Sequence, residues 1–546
     1  MIQRNRYFLF FYFGDTFSIR NSRGIVVRVL FLLCIQAIFP LVIFSQSLPV
    51  GMRVFEEYYR RKQLLSAVDS NISFTLRPLS SFFVDAGLSE DTDSNLRFGS
   101  KLYQSANRRK IVQILPLSWQ QQYHSNPYYA WNNGSMIPAK GYQSMLSAGL
   151  FAKYGPFSIQ LNPDFVFATN DEFNEVSTHY GPADLPVRFG NNSYSRFSWG
   201  QSSIRLNFDP VSIGISNENL WWGPGIQNSI LMSNTAPGFK HLTLNTTKPV
   251  KTPIGSIEAQ ILAGRLEGSG YTPALTNEWR YLSGMVFSYQ PRWFNGLFLG
   301  MTRSFQINNE NMGNGFDDYF PLFSAFQKKK TSEDDKKRDQ VTSVFLRWLL
   351  KETKAEVYFE YGLNDHSYNI RDFLMTPEHS RAYTIGFNKL IPYKGRDQEY
   401  VQVGVELSHL EQSIDRAFRN SGEWYTHNDV PHGYTHRGEV LGAGIGPGGN
   451  FAALNVAWVK SLNRLGFQLE RYEHNGDLGA RQSYGEWVDF AFSAVADRVY
   501  NDLIISTKLQ GIQSQNYQWN DGLNGRPKHD KFQINAEVGI IYRFKK

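Results

Sequence analysis

The chain has 546 residues, of which 42% are hydrophobic, 15% aromatic and 45 are glycine. Its mean hydropathy of -0.38 is too low for a bundle of membrane-spanning helices. Residues 1–45 hold five basic and one acidic residue, so the 56 basic and 49 acidic residues of the chain, formally +7, fall to 51 and 48 beyond them; with no basic stripe interleaved with aromatics, nucleic acid is not an expected partner.

The longest apolar run is Val29 to Phe44, preceded by Arg20, Arg23 and Arg28 and followed by Ser45-Gln46. A basic flank, an apolar core and a small-residue exit predict a secretory signal peptide over 1–45. The single cysteine, Cys34, lies inside it, so the exported chain is expected to carry no thiol and no disulfide. Next, Arg53 to Val68 reads as a helix with Val54, Tyr58, Leu65 and Val68 near one face. Glu56 with Arg60, and Glu57 with Arg61, are spaced to pair on its surface. Pro78, Ser80-Ser81 and the acidic run Glu90 to Asp93 break any longer element. Residues 46–109 are therefore expected to form a small helical periplasmic segment, ahead of a sheet over 110–546.

From Lys110 onward the pattern is alternation, with eighteen candidate strands between 110–122 and 530–544. Ile204, Leu206 and Phe208 alternate with Arg205 and Asn207; after Asp209-Pro210, Val211, Ile213 and Ile215 alternate with Ser212, Gly214 and Ser216. Near 398–412, Val401, Val403, Val405 and Leu407 alternate with Gln402, Gly404, Glu406 and Ser408. Phe532, Ile534, Val538, Ile540 and Tyr542 alternate with polar residues in the last strand, which ends near Phe544. Every second connection is short, as at Gly155-Pro156, Asp209-Pro210 and Lys351 to Thr353; the others are mostly long, as at 123–140, 170–198, 222–238, 308–339 and 413–449. A soluble sandwich would alternate within strands but has no reason to alternate connection length. The expected fold is all-β: a transmembrane antiparallel β-barrel of about eighteen strands, with apolar residues facing outer-membrane lipid and polar residues facing the lumen. Such a lumen is wide enough for a channel unless something fills it.

The stretch Leu220 to Phe239, LWWGPGIQNSILMSNTAPGF, resembles the signature of the capsule assembly protein Wzi family, in which a Trp-Trp-Gly-Pro-Gly run is followed by Ser, Leu and Asn, here Ser229, Leu231, Ser233 and Asn234. The segments VFEEYYRRKQLL (54–65) and SFTLRP (73–78) are similar to that family's N-terminal helix region. The resemblance implies an eighteen-stranded outer-membrane barrel with a periplasmic helical cap. It also implies a lectin-like role, holding capsular or exopolysaccharide at the surface of a Gram-negative cell.

Candidate binding residues are Trp221, Trp222, Gly223, Pro224, Gly225 and Asn234, with Trp424, Tyr425 and Tyr434 from loop 413–449. Aromatic rings can stack on the apolar face of a sugar while leaving polar handles free, and the two stretches are expected to form one outward, sugar-facing surface. A stiff Gly223-Pro224-Gly225 turn would present the two tryptophans; the alternative is architectural, with the tryptophans in the aromatic girdle or the motif as an inward plug. His427, His432 and His436 with Glu423 and Asp429 are too irregularly spaced to carry a metal site. The run KKKTSEDDKKR, 328–338, reads as a solvated loop tip, or as an attractor of acidic polysaccharide. No catalytic constellation, cofactor motif or metal motif is apparent. The expectation is a non-enzymatic monomer that binds surface polysaccharide; an outer-membrane channel or, further off, a barrel hydrolase are the alternatives.

Overall fold

The structure, a computed structural model, describes residues 47–66, 71–80, 99–107, 109–173, 183–272, 275, 279–323, 337–364, 379–413, 420–482, 485–519 and 529–544. The expected leader with Cys34, the acidic run at 90–93, most of the lysine-rich tip and Lys545-Lys546 lie outside the described residues. No helix among the described residues is long and apolar enough to cross a membrane.

The alternation does what the residue types demand. Ile204, Leu206, Ile213 and Ile215 are 41–65% exposed, whereas Asn207, Ser212 and Ser216 on the same hairpin are buried. The last strand repeats this: Phe532 and Ile534 point out, Gln533 and Asn535 point in and are buried. Such a sheet has its apolar face on the outside. It is stable only where that face meets hydrocarbon and where every backbone N–H and C=O is paired.

Closure supplies the pairing. Among the described residues the main sheet contains 24 strand segments, all paired antiparallel. Ladders join neighbours in chain order, and Lys531–Tyr542 pairs back onto Leu117–His124, from Asn535↔His124 to Tyr542↔Leu117, which closes the ring. Five staves near the start are each made of two segments: Lys110–Ile114 with Leu117–His124, Gly141–Ser147 with Leu150–Tyr154, Phe157–Leu161 with Asp164–Ala168, Tyr194–Ser198 with Ser203–Phe208, and His241–Thr246 with Val250–Thr252. Three of the breaks fall at Pro116, Pro163 and Pro249, which cannot donate to a ladder. A fourth falls at Gly200, where φ is +50° and an added Cβ would sit 2.5 Å from the Asn162 carbonyl oxygen. One further segment, Ser100–Gln104, pairs beside Lys110–Ile114 outside the ring. With the split staves joined and that side strand set apart, eighteen staves are counted among the described residues. The strand that opens at Val211 stops at Ser216, and the stave that carries Ile204, Leu206 and Phe208 begins at Tyr194.

The short-turn end is filled by helix α1, Arg53–Leu64. Its apolar face buries Val54, Phe55, Tyr58 and Tyr59 against Leu115, Phe151, Leu462, Ile504 and Ile541 from the barrel wall. Leu64 packs with Phe298, Leu349 and Leu390. The described residues accordingly form one compact unit.

Candidate functional site: the lumen plug

After Ser216 the chain leaves the wall and turns into the barrel. Trp221–Trp222 pairs antiparallel with Leu76–Arg77, so a strand from the N-terminal segment and the tryptophan pair form a small sheet of their own. The Arg77 guanidinium lies over the Trp221 ring, 4.3 Å from its centroid. The Trp222 indole Nε1 donates to Gln260 Oε1 on the wall at 2.9 Å. Trp222 packs onto Gly284, where an added Cβ would come within 2.8 Å of the ring; the wall lacks a side chain where the plug needs room.

The Gly-Pro-Gly turn follows. Gly223 adopts φ +127°, a conformation that L side chains rarely adopt, and its N–H donates to the Thr75 carbonyl at 2.9 Å. The Pro224 carbonyl accepts from Arg60 at 2.9 Å and the Gly225 carbonyl from Arg77 at 3.1 Å. The next three N–H groups, of Ile226, Gln227 and Asn228, converge on the Glu406 carboxylate at 2.7–3.1 Å, and the Tyr358 hydroxyl donates to the same group at 2.7 Å. Ser343 donates to Glu360 at 2.7 Å, and Ile230 N–H approaches Glu360 at 3.3 Å. The Asn234 side chain donates to the Asn132 carbonyl at 2.9 Å.

The second stretch covers the first. The Trp424 indole Nε1 donates to the Arg381 carbonyl at 2.8 Å. The Tyr425 hydroxyl donates to the Ile230 carbonyl and accepts from the Ala443 N–H, both at 2.8 Å. Tyr434 stacks on Tyr425 at 6.0 Å with 18° between ring planes and meets Ser304 Oγ at 2.8 Å. Trp222, Trp424, Tyr425 and Tyr434 share one core with Ile230, Leu231, Leu262, Leu282 and Val341. The structure thus brings together Trp221, Trp222, Gly223, Pro224, Gly225, Asn234, Trp424, Tyr425 and Tyr434, as the sequence led one to expect. It places them inside the barrel rather than on an outward surface, and all nine are buried. The reason is chemical: rings this large are stabilised more by a dry core against wall aliphatics than by water. Among the described residues, no group of His, Cys, Asp and Glu is placed to hold a metal ion; His436 Nδ1 instead accepts the Glu267 N–H at 3.0 Å.

The wall carboxylates that seat the plug were not singled out in the sequence. Glu406, Glu360 and Glu356 all fall on inward positions of the alternation, and a charge on a lumen-facing position beside small polar residues is the signal that marks them. Glu356 bridges Arg60 of α1 at 2.6 Å and Arg347 of the wall at 2.7 Å. Arg347 in turn donates to Gln63 and to the Ser73 carbonyl. The Glu56–Arg60 pair expected on the helix surface does not form. Arg60 goes to Glu356 and Glu56 to Arg77, because α1 is enclosed by the barrel and its charges must find partners there. Glu57 does approach Arg61, at 3.6 Å, but its closer partners are Arg53 and Arg464, both at 2.7 Å.

Glu57 gives a pH prediction. Burial raises its pKa, but the guanidinium groups of Arg464, Arg53 and Arg61 outweigh this and hold its carboxyl down at about 2, from an ordinary value of 4.5. A carboxyl depressed in the fold contributes stability above its unfolded pKa and loses it as pH falls through the folded value. Docking of α1 is therefore expected to hold down to about pH 4.5 and to weaken between there and about pH 2. Protease nicking in the 50–70 region after acid pulses reads this. Glu57→Gln should be nicked at neutral pH, with a flatter acid response; identical profiles would remove Glu57 as the anchor.

A family model described as capsule assembly protein Wzi matches residues 118–523. No curated protein matches the sequence. Among solved structures the chain is similar to Escherichia coli Wzi, an outer-membrane protein involved in group 1 capsule assembly and described as a carbohydrate-binding β-barrel. The TM-score is 0.62 at 14% identity, covering 90% of this chain and 98% of that one. Looser overlaps occur with Acinetobacter baumannii OccAB2 (TM-score 0.39, 10% identity, 79% and 97% covered) and with a BenF-like porin from Pseudomonas fluorescens Pf-5 (0.39, 7%, 79% and 99%). These two are too distant to bear on function. The family match spans most of the sheet and includes the tryptophan motif and both plug stretches, so the chain belongs to the capsule assembly protein Wzi family.

Proposed function

We propose that this protein is a monomeric, non-enzymatic outer-membrane barrel that binds capsular or exopolysaccharide and holds it at the cell surface, exported through a signal peptide removed near Ser45-Gln46. The observation that carries the reading is the filled lumen. A closed barrel with an apolar outer band fits the outer membrane, its short turns on the periplasmic side and its long loops outside. Its interior is packed with α1 and the two plug stretches rather than left as a conduit, which favours holding over transport. Membership of a capsule assembly family supplies the ligand class, and the Escherichia coli relative is described as carbohydrate-binding. The nine plug residues support binding by shaping the lumen and by bracing the loops above it.

Deleting the gene should shift polysaccharide from the cell-associated to the released fraction, and restoring the full chain should return it. Unchanged cell-associated polysaccharide in the deletion strain would sink the reading. In planar bilayers the purified protein should give no steady conductance; a large, stable channel would favour transport instead. N-terminal sequencing of protein from outer membranes should begin near Gln46, and a chain still carrying residues 1–45 would rule out the expected processing.

A further inference from the structure

Between α1 and the plug lies a cavity of about 280 Å³. It would hold about nine waters at the ~30 Å³ each occupies in the liquid, and it is near the lower end of small-ligand sites, about 300 Å³. It extends from Arg53 and Glu57 of α1, past Trp221 and Gln227 of the plug, to Tyr129–Asn133 of the first long connection. Its wall is rich in carboxamides. Most of these are already engaged with the protein, as Gln122 is with Asn133 at 3.0 Å and Asn388 with Gln402 at 3.2 Å. Four lining groups are different. The side-chain amides of Gln120, Gln227 and Asn455 and the indole N–H of Trp131 make no hydrogen bond within the protein among the described residues. Gln120 and Asn455 fall on inward positions of their strands, and both are only partly buried. Trp131 is also partly exposed, and it is braced by Tyr129, Tyr472 and Phe451 at 4.8, 5.2 and 5.7 Å between ring centroids.

The charges around the cavity cancel. Five cationic and five acidic side chains line it: Arg53, Arg60, Arg77, Arg464 and Lys508 against Glu56, Glu57, Glu470, Asp497 and Glu537. Each cation has a carboxylate within 4.0 Å: Arg53 at Glu57, Arg464 at Glu57 and Asp497, Arg77 at Glu56, Arg60 at Glu356 and Lys508 at Glu537, the last at 3.9 Å. No unmatched cation is left to receive a ligand carboxylate. Beside the buried Trp221 indole N–H and Arg77 Nε, which also lack a hydrogen-bond partner among the described residues, the cavity offers the Trp131 ring and three amides, each able to donate and accept at once. An amide pairs with neighbouring hydroxyls in both roles, and a ring face covers apolar C–H surface. Sugar hydroxyls can meet such groups bond for bond as water would.

We propose that this cavity is a lumenal subsite for a single uncharged pyranose unit, with Gln120, Gln227 and Asn455 as its hydrogen-bonding groups and Trp131 as its platform. It rests on the polysaccharide reading above and adds to it where one sugar is taken and that this sugar is neutral. The test uses the full-length mature protein in detergent, with saturation-transfer NMR and calorimetry against D-glucose, D-galactose, D-mannose and N-acetyl-D-glucosamine, and with D-glucuronate as the charged probe. At least one neutral sugar should bind saturably, and more tightly than glucuronate. The double variant Gln120→Met/Asn455→Leu keeps the chain length and branching of each side chain and removes two amides; it should weaken that sugar at least tenfold while leaving heat-modifiable gel mobility intact. Trp131→Phe serves as the second variant should the first misfold, and should also weaken binding. Absence of neutral-sugar binding by the wild type, tighter binding of glucuronate, or full binding by folded variants would overturn the subsite. If the wild-type protein still retains polysaccharide on cells in those cases, the outer reading stands and only the lumenal site falls. Loss of both would overturn both.

Discussion

Replacing Trp221 and Trp222 together by alanine is expected to leave the barrel folded and to unseat its plug. Trp222 is fully buried against Leu262, Leu282 and Val286, and its indole Nε1 is tied to Gln260. Truncating a buried tryptophan costs about 3–5 kcal/mol. That is roughly a hundredfold or more in the balance between seated and released plug. The ladders that close the ring involve neither residue, so heat-modifiable mobility on a gel should persist. Two readouts should move together: conductance should appear in planar bilayers, and cell-associated polysaccharide should fall with a matching rise in the medium. If a folded double variant stays silent in bilayers and retains polysaccharide like the wild type, the tryptophans neither seat the plug nor contribute to binding. Conductance without loss of retention would separate the two roles and assign these rings to closure alone.

The second large effect is expected at Glu406, whose hydrogen-bond donors are Ile226, Gln227, Asn228 and Tyr358. Glu406→Ala removes the acceptor of three consecutive plug N–H groups and of the Tyr358 hydroxyl. A buried donor left unmet costs about 1–3 kcal/mol. Some of the four will find water in the space the carboxylate leaves, so a total on the order of 3–5 kcal/mol is expected, comparable to removing one partner of a buried charged contact. Glu406→Gln should cost less, because one carbonyl oxygen remains, but its NH₂ would face the same donors. The expected order of conductance in bilayers is wild type, then Glu406→Gln, then Glu406→Ala. A folded Glu406→Ala that stays closed would mean that the core around Ile230 and Leu231 seats the plug without this carboxylate.

These two variants probe what the local pattern leaves undetermined. The barrel is written in short-range terms: a period of two, inverted so that Ile204, Leu206 and Phe532 face outward, and connections that alternate between short and long. Each feature is set by a handful of adjacent residues. The same holds for the Leu220 to Phe239 motif, which identifies the family because its glycines and tryptophans are needed at fixed spacing. The plug residues are legible as a group for that reason, and the wall carboxylates could have been found by asking which inward positions carry charge.

Inside or outside is another matter. A tryptophan after a strand reads the same in a girdle, on an outward loop or in a plug, because all three bury apolar area and satisfy one N–H. Only the closed ring, with a lumen wide enough to need filling and glycines such as Gly284 and Gly362 on its inner wall, turns Trp222, Trp424 and Tyr425 inward. The helix shows the same limit. The Glu56–Arg60 spacing is correct for a pair on a solvated helix. Once α1 is enclosed by the barrel, Arg60 pairs with Glu356, 296 residues away in sequence, since a buried charge must be paired and this wall carboxylate can bridge Arg60 and Arg347 together. By itself, then, the sequence determined the inverted sheet, its closure and its family. The tertiary structure decided what fills the lumen, which carboxylates hold it and where a polar cavity remains, because those depend on residues that are distant in sequence and meet only when the ring has closed around them.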